Sequence, residues 1–212
     1  MIYYILFIQK KNSIVSYDLI NNKKINEIKD DKDECITNLK HYFNQDKRQD
    51  LVISTSINNK LKLWKIQNWE CLLKIKRINK DGDLRSACFL NLNNHIYILT
   101  SNAFGKEPIK VFNIKGIKIK EINNSKDEVN YIDIYYDNQS SKPYILTGNI
   151  GFVKSYDYNN NKVYHIYNDN DNNNDYSNHY SLRIKNENNL KKLIESSEDG
   201  NIRIWDFHTG RL

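Results

Sequence analysis

The sequence predicts an all-β chain, and three observations carry that prediction. Helical 3.6-residue spacing is almost absent, while runs of five to eight residues rich in Ile, Val, Tyr, Leu and Trp recur, alternating with Lys, Ser or Thr. Asn, Asp and Gly, which tolerate turn conformations, bound these runs. Five runs also share one pattern, an apolar alternation closing on an aromatic and then a polar residue: Ile14-Val15-Ser16-Tyr17-Asp18, Leu61-Lys62-Leu63-Trp64-Lys65, Ile109-Lys110-Val111-Phe112-Asn113, Val153-Lys154-Ser155-Tyr156-Asp157 and Ile202-Arg203-Ile204-Trp205-Asp206. The aromatics fall at 17, 64, 112, 156 and 205, so the successive spacings are 47, 48, 44 and 49 residues. Roughly 40 to 45 residues per repeat, with modest loop growth, is the length of one four-stranded propeller blade.

Strands are labelled a to d from the propeller centre outwards. The first unit, about 1–28, supplies b, c and d at Tyr3–Ile8, Ile14–Leu19 and Lys24–Ile28. The second, 29–76, supplies a near Cys35–Tyr42, then Leu51–Ser56, Leu61–Ile66 and Cys71–Lys76. The third, 77–123, gives Leu84–Leu90, His95–Ser101, Ile109–Ile114 and Ile117–Ile122. The fourth, 124–168, gives Val129–Tyr135, Tyr144–Thr147, Val153–Tyr158 and Val163–Tyr167. The fifth, 169–212, has a, b and c only, at Tyr180–Ile184, Lys192–Ser196 and Ile202–Phe207. The terminal units do not complement each other, since one lacks strand a and the other strand d. A propeller protects its strand edges by closing a ring. The expectation is therefore a single propeller segment of about four and a half blades, completed by further blades or by a partner chain.

The residues resemble a known family most at Ser197-Glu198-Asp199-Gly200-Asn201-Ile202-Arg203-Ile204-Trp205-Asp206, which looks like the closing signature of a WD40 repeat. Ser56-Ile57-Asn58-Asn59-Lys60-Leu61-Lys62-Leu63-Trp64-Lys65 is a weaker copy, and the other units keep the alternation and the aromatic. The resemblance implies a blade held by a strand-c Trp, a strand-b Ser or Thr, an Asp in the b-to-c turn and a His in the preceding d-to-a loop. Trp205 and Asp199 match in the fifth unit, followed by Asp206, but Glu195 stands in the Ser/Thr place. Trp64 and Ser54 match in the second, with Asn58 in the Asp place. No Gly-His pair precedes any strand a, so the complete network is expected in no blade.

Composition narrows the function classes. Lys plus Arg is 32 against 26 Asp plus Glu, a net +6 spread along the whole chain, which does not indicate a nucleic-acid arm. Asn (33), Ile (29) and Lys (26) dominate, so the Asn runs read as loop filler. Met1–Ile8 is far short of the roughly 20 apolar residues a membrane span needs, and it has no basic segment before it. Cys35, Cys71 and Cys88 form neither a disulfide framework nor a zinc pattern, which fits an intracellular location, cytoplasmic or nuclear. They are expected to behave as small apolar strand residues.

Searching for chemistry yields no catalytic, cofactor or metal residues. The acidic run Asp30-Asp31-Lys32-Asp33-Glu34 reads as a solvated d-to-a loop. Asp169–Asp175 fails as an EF-hand, with Asn174 in the sixth place and Tyr180 in the twelfth. His41, His95, His165, His179 and His208 show no metal spacing, and no hydrolase elbow, phosphate loop or kinase motif occurs. In the family the d-to-a and b-to-c loops commonly receive peptides or domains. On this chain that face holds Arg77, Lys80, Asp81, Asn58, Asn59, Glu198 and the insertion Asn102–Glu107, with Phe104 as an apolar anchor at its tip; Trp69, in the c-to-d turn, is a further candidate contact. The expected function is a non-catalytic protein-interaction scaffold, or else the targeting propeller of a larger enzyme such as a protein kinase or ubiquitin-ligase component. Nucleic-acid binding is the least favoured reading.

Overall fold

Alternation along each run places successive side chains on opposite faces, and antiparallel pairing of consecutive runs then builds small sheets. The computed structural model describes residues 5–10, 13–29, 35–80, 82–103, 107–123, 127–137, 140–168, 177–187 and 190–212. Among them eighteen strands form five sheets, and no helix occurs. The first sheet is β1 (Ile5–Lys10), β2 (Ser13–Asp18) and β3 (Lys23–Lys29). The second is β4 (Ile36–Asn44), β5 (Gln49–Ser56), β6 (Lys60–Lys65) and β7 (Glu70–Lys76). The third is β8 (Ala87–Leu92), β9 (His95–Thr100), β10 (Ile109–Asn113) and β11 (Lys118–Ile122). The fourth is β12 (Val129–Tyr136), β13 (Pro143–Asn149), β14 (Val153–Asp157) and β15 (Lys162–Tyr167). The fifth is β16 (His179–Glu187), β17 (Leu190–Ser197) and β18 (Ile202–Asp206).

The sheets stand side by side as propeller blades. The inner strands β4, β8, β12 and β16 are successive neighbours, and β1 lies beside β4. Apolar residues on the two faces of each middle sheet fill two different seams. Val52 and Trp64 pack with Ile14 and Ile36 of the first seam, while Ile53 and Leu63 pack with Ile98 and Phe112 of the second. Leu99 and Val111 meet Ile132, Ile145 and Tyr156 in the third seam, and Leu146 and Val153 meet Leu182, Leu193 and Trp205 in the fourth. From the second sheet onward the strand-c aromatic thus faces the preceding blade. In the first four sheets a register shift falls at that aromatic, before Tyr17, Trp64, Phe112 and Tyr156. Such a bulge sharpens the twist and re-aims the large ring towards the seam.

The d-to-a connections are stitched to the b-to-c turns by backbone bonds. Ile78 N donates to Asn59 O, Val129 N to Asn102 O and Gly151 N to Ser177 O, and Asp83 bridges Ala103. That bridge corrects one strand boundary. Leu84, expected to begin a strand, is fully buried but lies in the connection, and β8 starts at Ala87. At the fifth sheet β18 pairs with β17 alone, and Ile202 and Ile204 are 72% and 49% exposed. Of the cysteines only Cys88 takes the apolar role expected of all three, because Cys35 and Cys71 lie at exposed positions just outside the packed seams.

Candidate functional site

Each signature residue has a definite place. Trp64 is buried and its indole N–H donates to Ser54 Oγ at 2.9 Å, the pairing that the family resemblance implies. Asn58 is exposed in the turn that follows β5. Trp205 is buried too, but its N–H finds no acceptor among the described residues. Glu195, which stands where the second blade has Ser54, holds its carboxylate 3.1 Å from His179 Nδ1 and 3.7 Å from Arg203, with neither oxygen hydrogen-bonded among the described residues. Asp199 accepts from Arg203 at 2.5 Å and from the Asn201 backbone and amide. Burial pushes the Asp199 carboxyl up, but these donors outweigh it and hold it well below the usual carboxylate range. Asp206 accepts from the N–H groups of His208 and Thr209 and so shapes the turn after β18.

The fifth blade is one instance of a pattern that the sequence reading missed. Two residues before the aromatic, strand c carries a buried cation in four blades: Lys62, Lys110, Lys154 and Arg203. Directly opposite on strand b stands a buried polar residue, Ser54, Thr100, Thr147 and Glu195 respectively. The Lys110 ammonium donates to Ile78 O at 2.6 Å, to Asn79 and to the Glu107 carboxylate. Lys154 pairs with Asp127. A cation at this position therefore ties strand c to the loops of the b-to-c-turn side. The signal was present as Lys or Arg two residues before four of the five aromatics, but alternation alone accounted for it.

Ionisable groups also meet at the centre. From three inner strands, Lys40 Nζ donates to Asp133 at 2.8 Å and to Tyr131 Oη at 2.6 Å, and Arg183 pairs with the same Asp133 oxygen. Burial lowers the Lys40 ammonium, but Asp133 and Tyr131 outweigh it and hold the ammonium above its ordinary value. Above this cluster a cleft of about 360 Å³ is lined by Thr37, Arg85, Asn130 and Tyr180.

Of the predicted contact residues, Arg77 and Lys80 are exposed on the connection between β7 and β8. Trp69 is half-buried against Ile14, Val52 and Trp64, so it packs largely as core. Phe104, Asp81, the run 30–34 and the run 169–175 lie outside the described residues.

The larger concavities lie on the opposite side, among the a-to-b and c-to-d turns. One, of about 640 Å³, spans three blades between Tyr42, Phe43, Asn91 and Tyr136. Asn91 organises its floor, donating from its side chain to Tyr42 Oη at 2.9 Å and from its backbone to Tyr136 Oη at 2.6 Å. Burial pushes the Tyr136 hydroxyl up to about 12. A second, of about 450 Å³, abuts it at Asn44 and Asn94 and is lined by Ile96, Ile114, Ile117 and Ile119.

Among the described residues no group of three His, Cys, Asp or Glu side chains could hold a metal ion, and no helix is long and apolar enough to cross a membrane. None of the protein-family models compared with the chain matches it, and no curated protein is similar to it in sequence.

Proposed function

We propose that the chain is a non-catalytic protein-interaction scaffold of the WD40-repeat type. One observation carries the reading: the ionisable groups buried in the blades hold strands and loops together, while concave surfaces built by the turns of successive blades stay open. The cleft lined by Ile96, Ile114, Ile117 and Ile119, apolar with a few polar groups at its edge, is of the kind where partners bind on rigid frames. The repeat type is supported by the Ser54–Trp64 hydrogen bond and by the order of residues from Ser197 to Asp206. Fold alone does not fix function, so the test is direct. Affinity purification of the intact protein from its own cells is expected to recover the same partner proteins in every replicate, in near-stoichiometric amounts. Recovery of no reproducible partner, or turnover of a small-molecule substrate by the purified chain, would overturn it.

A further inference from the structure

We propose that the groove between the second and third blades, on the a-to-b-turn side, receives a short peptide segment of a partner protein whose one or two large apolar side chains are flanked by carboxylates. The inference rests on the scaffold reading and adds the face and the partner chemistry. Sequence alone pointed to the other face.

The apolar element is concentrated. Ile114, Ile117 and Ile119 are 40%, 60% and 55% exposed, and all three line one concavity. Isolated exposed apolar residues are ordinary, whereas a concave cluster of them marks an interaction site.

Comparison across the repeats shows what such a site looks like when the chain fills it. Ile66, Ile114 and Phe207 occupy the same place, two residues after the strand-c aromatic. Phe207 is fully buried between Tyr144 and Tyr164, and the Tyr164 hydroxyl is bound to His208. Ile66 is 9% exposed. At the seam between the second and third blades Ile114, the same residue type as the buried Ile66, is left 40% exposed and lines an open concavity.

Charge selects the occupant. Lys47 and Lys115 both line the groove, and neither ammonium has a carboxylate partner among the described residues. Paired cations beside an apolar slot favour carboxylates and disfavour basic peptides. The frame is preformed. Asn93 and Asn94 both have positive φ, 49° and 61°, as the two-residue turn of a tight hairpin requires. A rigid wall reduces the ordering cost of binding. The adjoining cleft lets a bound chain continue past Asn44 and Asn94 towards Phe43.

The probe is a random 12-residue peptide library displayed on phage and selected against the intact chain. Selected peptides are expected to carry Leu, Ile, Phe or Trp beside Asp or Glu. Their affinity should fall on the order of tenfold or more in Ile117→Asp, the factor one buried Ile side chain is worth. It should fall further in Lys115→Glu and weaken as salt rises. Both residues are exposed, so unchanged melting temperatures certify the variants as folded. Peptides that ignore these two changes but are lost in Arg77→Glu or Lys80→Glu would overturn the groove and leave the scaffold reading standing. Failure to enrich any peptide on either face would count against both.

Discussion

At the residue scale, the strand-c cation joins a blade to its neighbouring loops. Lys110 is surrounded by a carbonyl, an amide oxygen and a carboxylate, and it is only 7% exposed. Removing one member of a buried pair leaves the other charge desolvated, at a cost of about 3 to 5 kcal/mol. Lys110→Met should therefore lower stability by roughly that amount in urea unfolding, whereas Lys115→Met, at an exposed turn, should change it by less than about 0.5 kcal/mol. Equal effects would show that the register at β10 is wrong. The Trp64 and Trp205 pair makes the same point about context. Both indoles occupy the same repeat position, yet only Trp64, with Ser54 on strand b within reach, is hydrogen-bonded, whereas the fifth blade has Glu195 in the place of that Ser.

At the element scale, seams are closed by backbone approach as well as by side chains. A Cβ at Gly148 would lie 2.4 Å from the backbone oxygen of His179, where β13 passes the start of β16. Backbone cannot yield as a side-chain tip can, so Gly148→Ala should cost about 1 to 3 kcal/mol. Gly200→Ala meets no neighbour but sits at a φ of +82° and should cost less, mainly through backbone strain. Thermal melting of the two variants checks the order.

Most elements were legible in the sequence because period-2 alternation and a fixed aromatic state both the strand and its face. Tyr17, Trp64, Phe112, Tyr156 and Trp205 each end a strand c as their spacing predicts. Strands a and b ran longer than expected at β13 and β16, where Pro143, His179 and Glu187 look like loop residues until pairing claims them. The candidate site was less legible. Lys40, Asp133 and Arg183 are far apart in sequence and meet only because inner strands converge. The groove at Ile114 is defined by what fails to cover it, which no local pattern encodes.

At the scale of the whole molecule, titration brackets stability from both sides. Hydrogen bonds from Lys191 and Ser140 hold Asp137 well below its ordinary 3.8, and Asp199 is likewise depressed. A depressed carboxyl contributes stability that is complete above the unfolded value and is lost as pH falls through the folded one. Burial raises the hydroxyls of Tyr136, Tyr156 and Tyr167 above 10.0, the first to about 12. Their contribution is complete below the unfolded value and is lost as pH rises towards the folded one. The melting temperature should therefore be level through neutral pH, fall below about pH 4 and fall again above about pH 10. A decline already under way between pH 5 and 8 would show that these groups are not paired or buried as described.

The central claim is the repeat itself, four-stranded units whose strand c is paired on both sides. Residue-resolved hydrogen exchange on the intact chain tests it most directly. The amides of β6, β10 and β14 should be the slowest, those of β18 faster because it has one neighbour, and the turns at 45–48, 67–69 and 114–117 fastest. Protection should thus rise and fall with the 44- to 49-residue spacing of the aromatics. Uniform protection across those turns, or maxima that ignore the spacing, would contradict it.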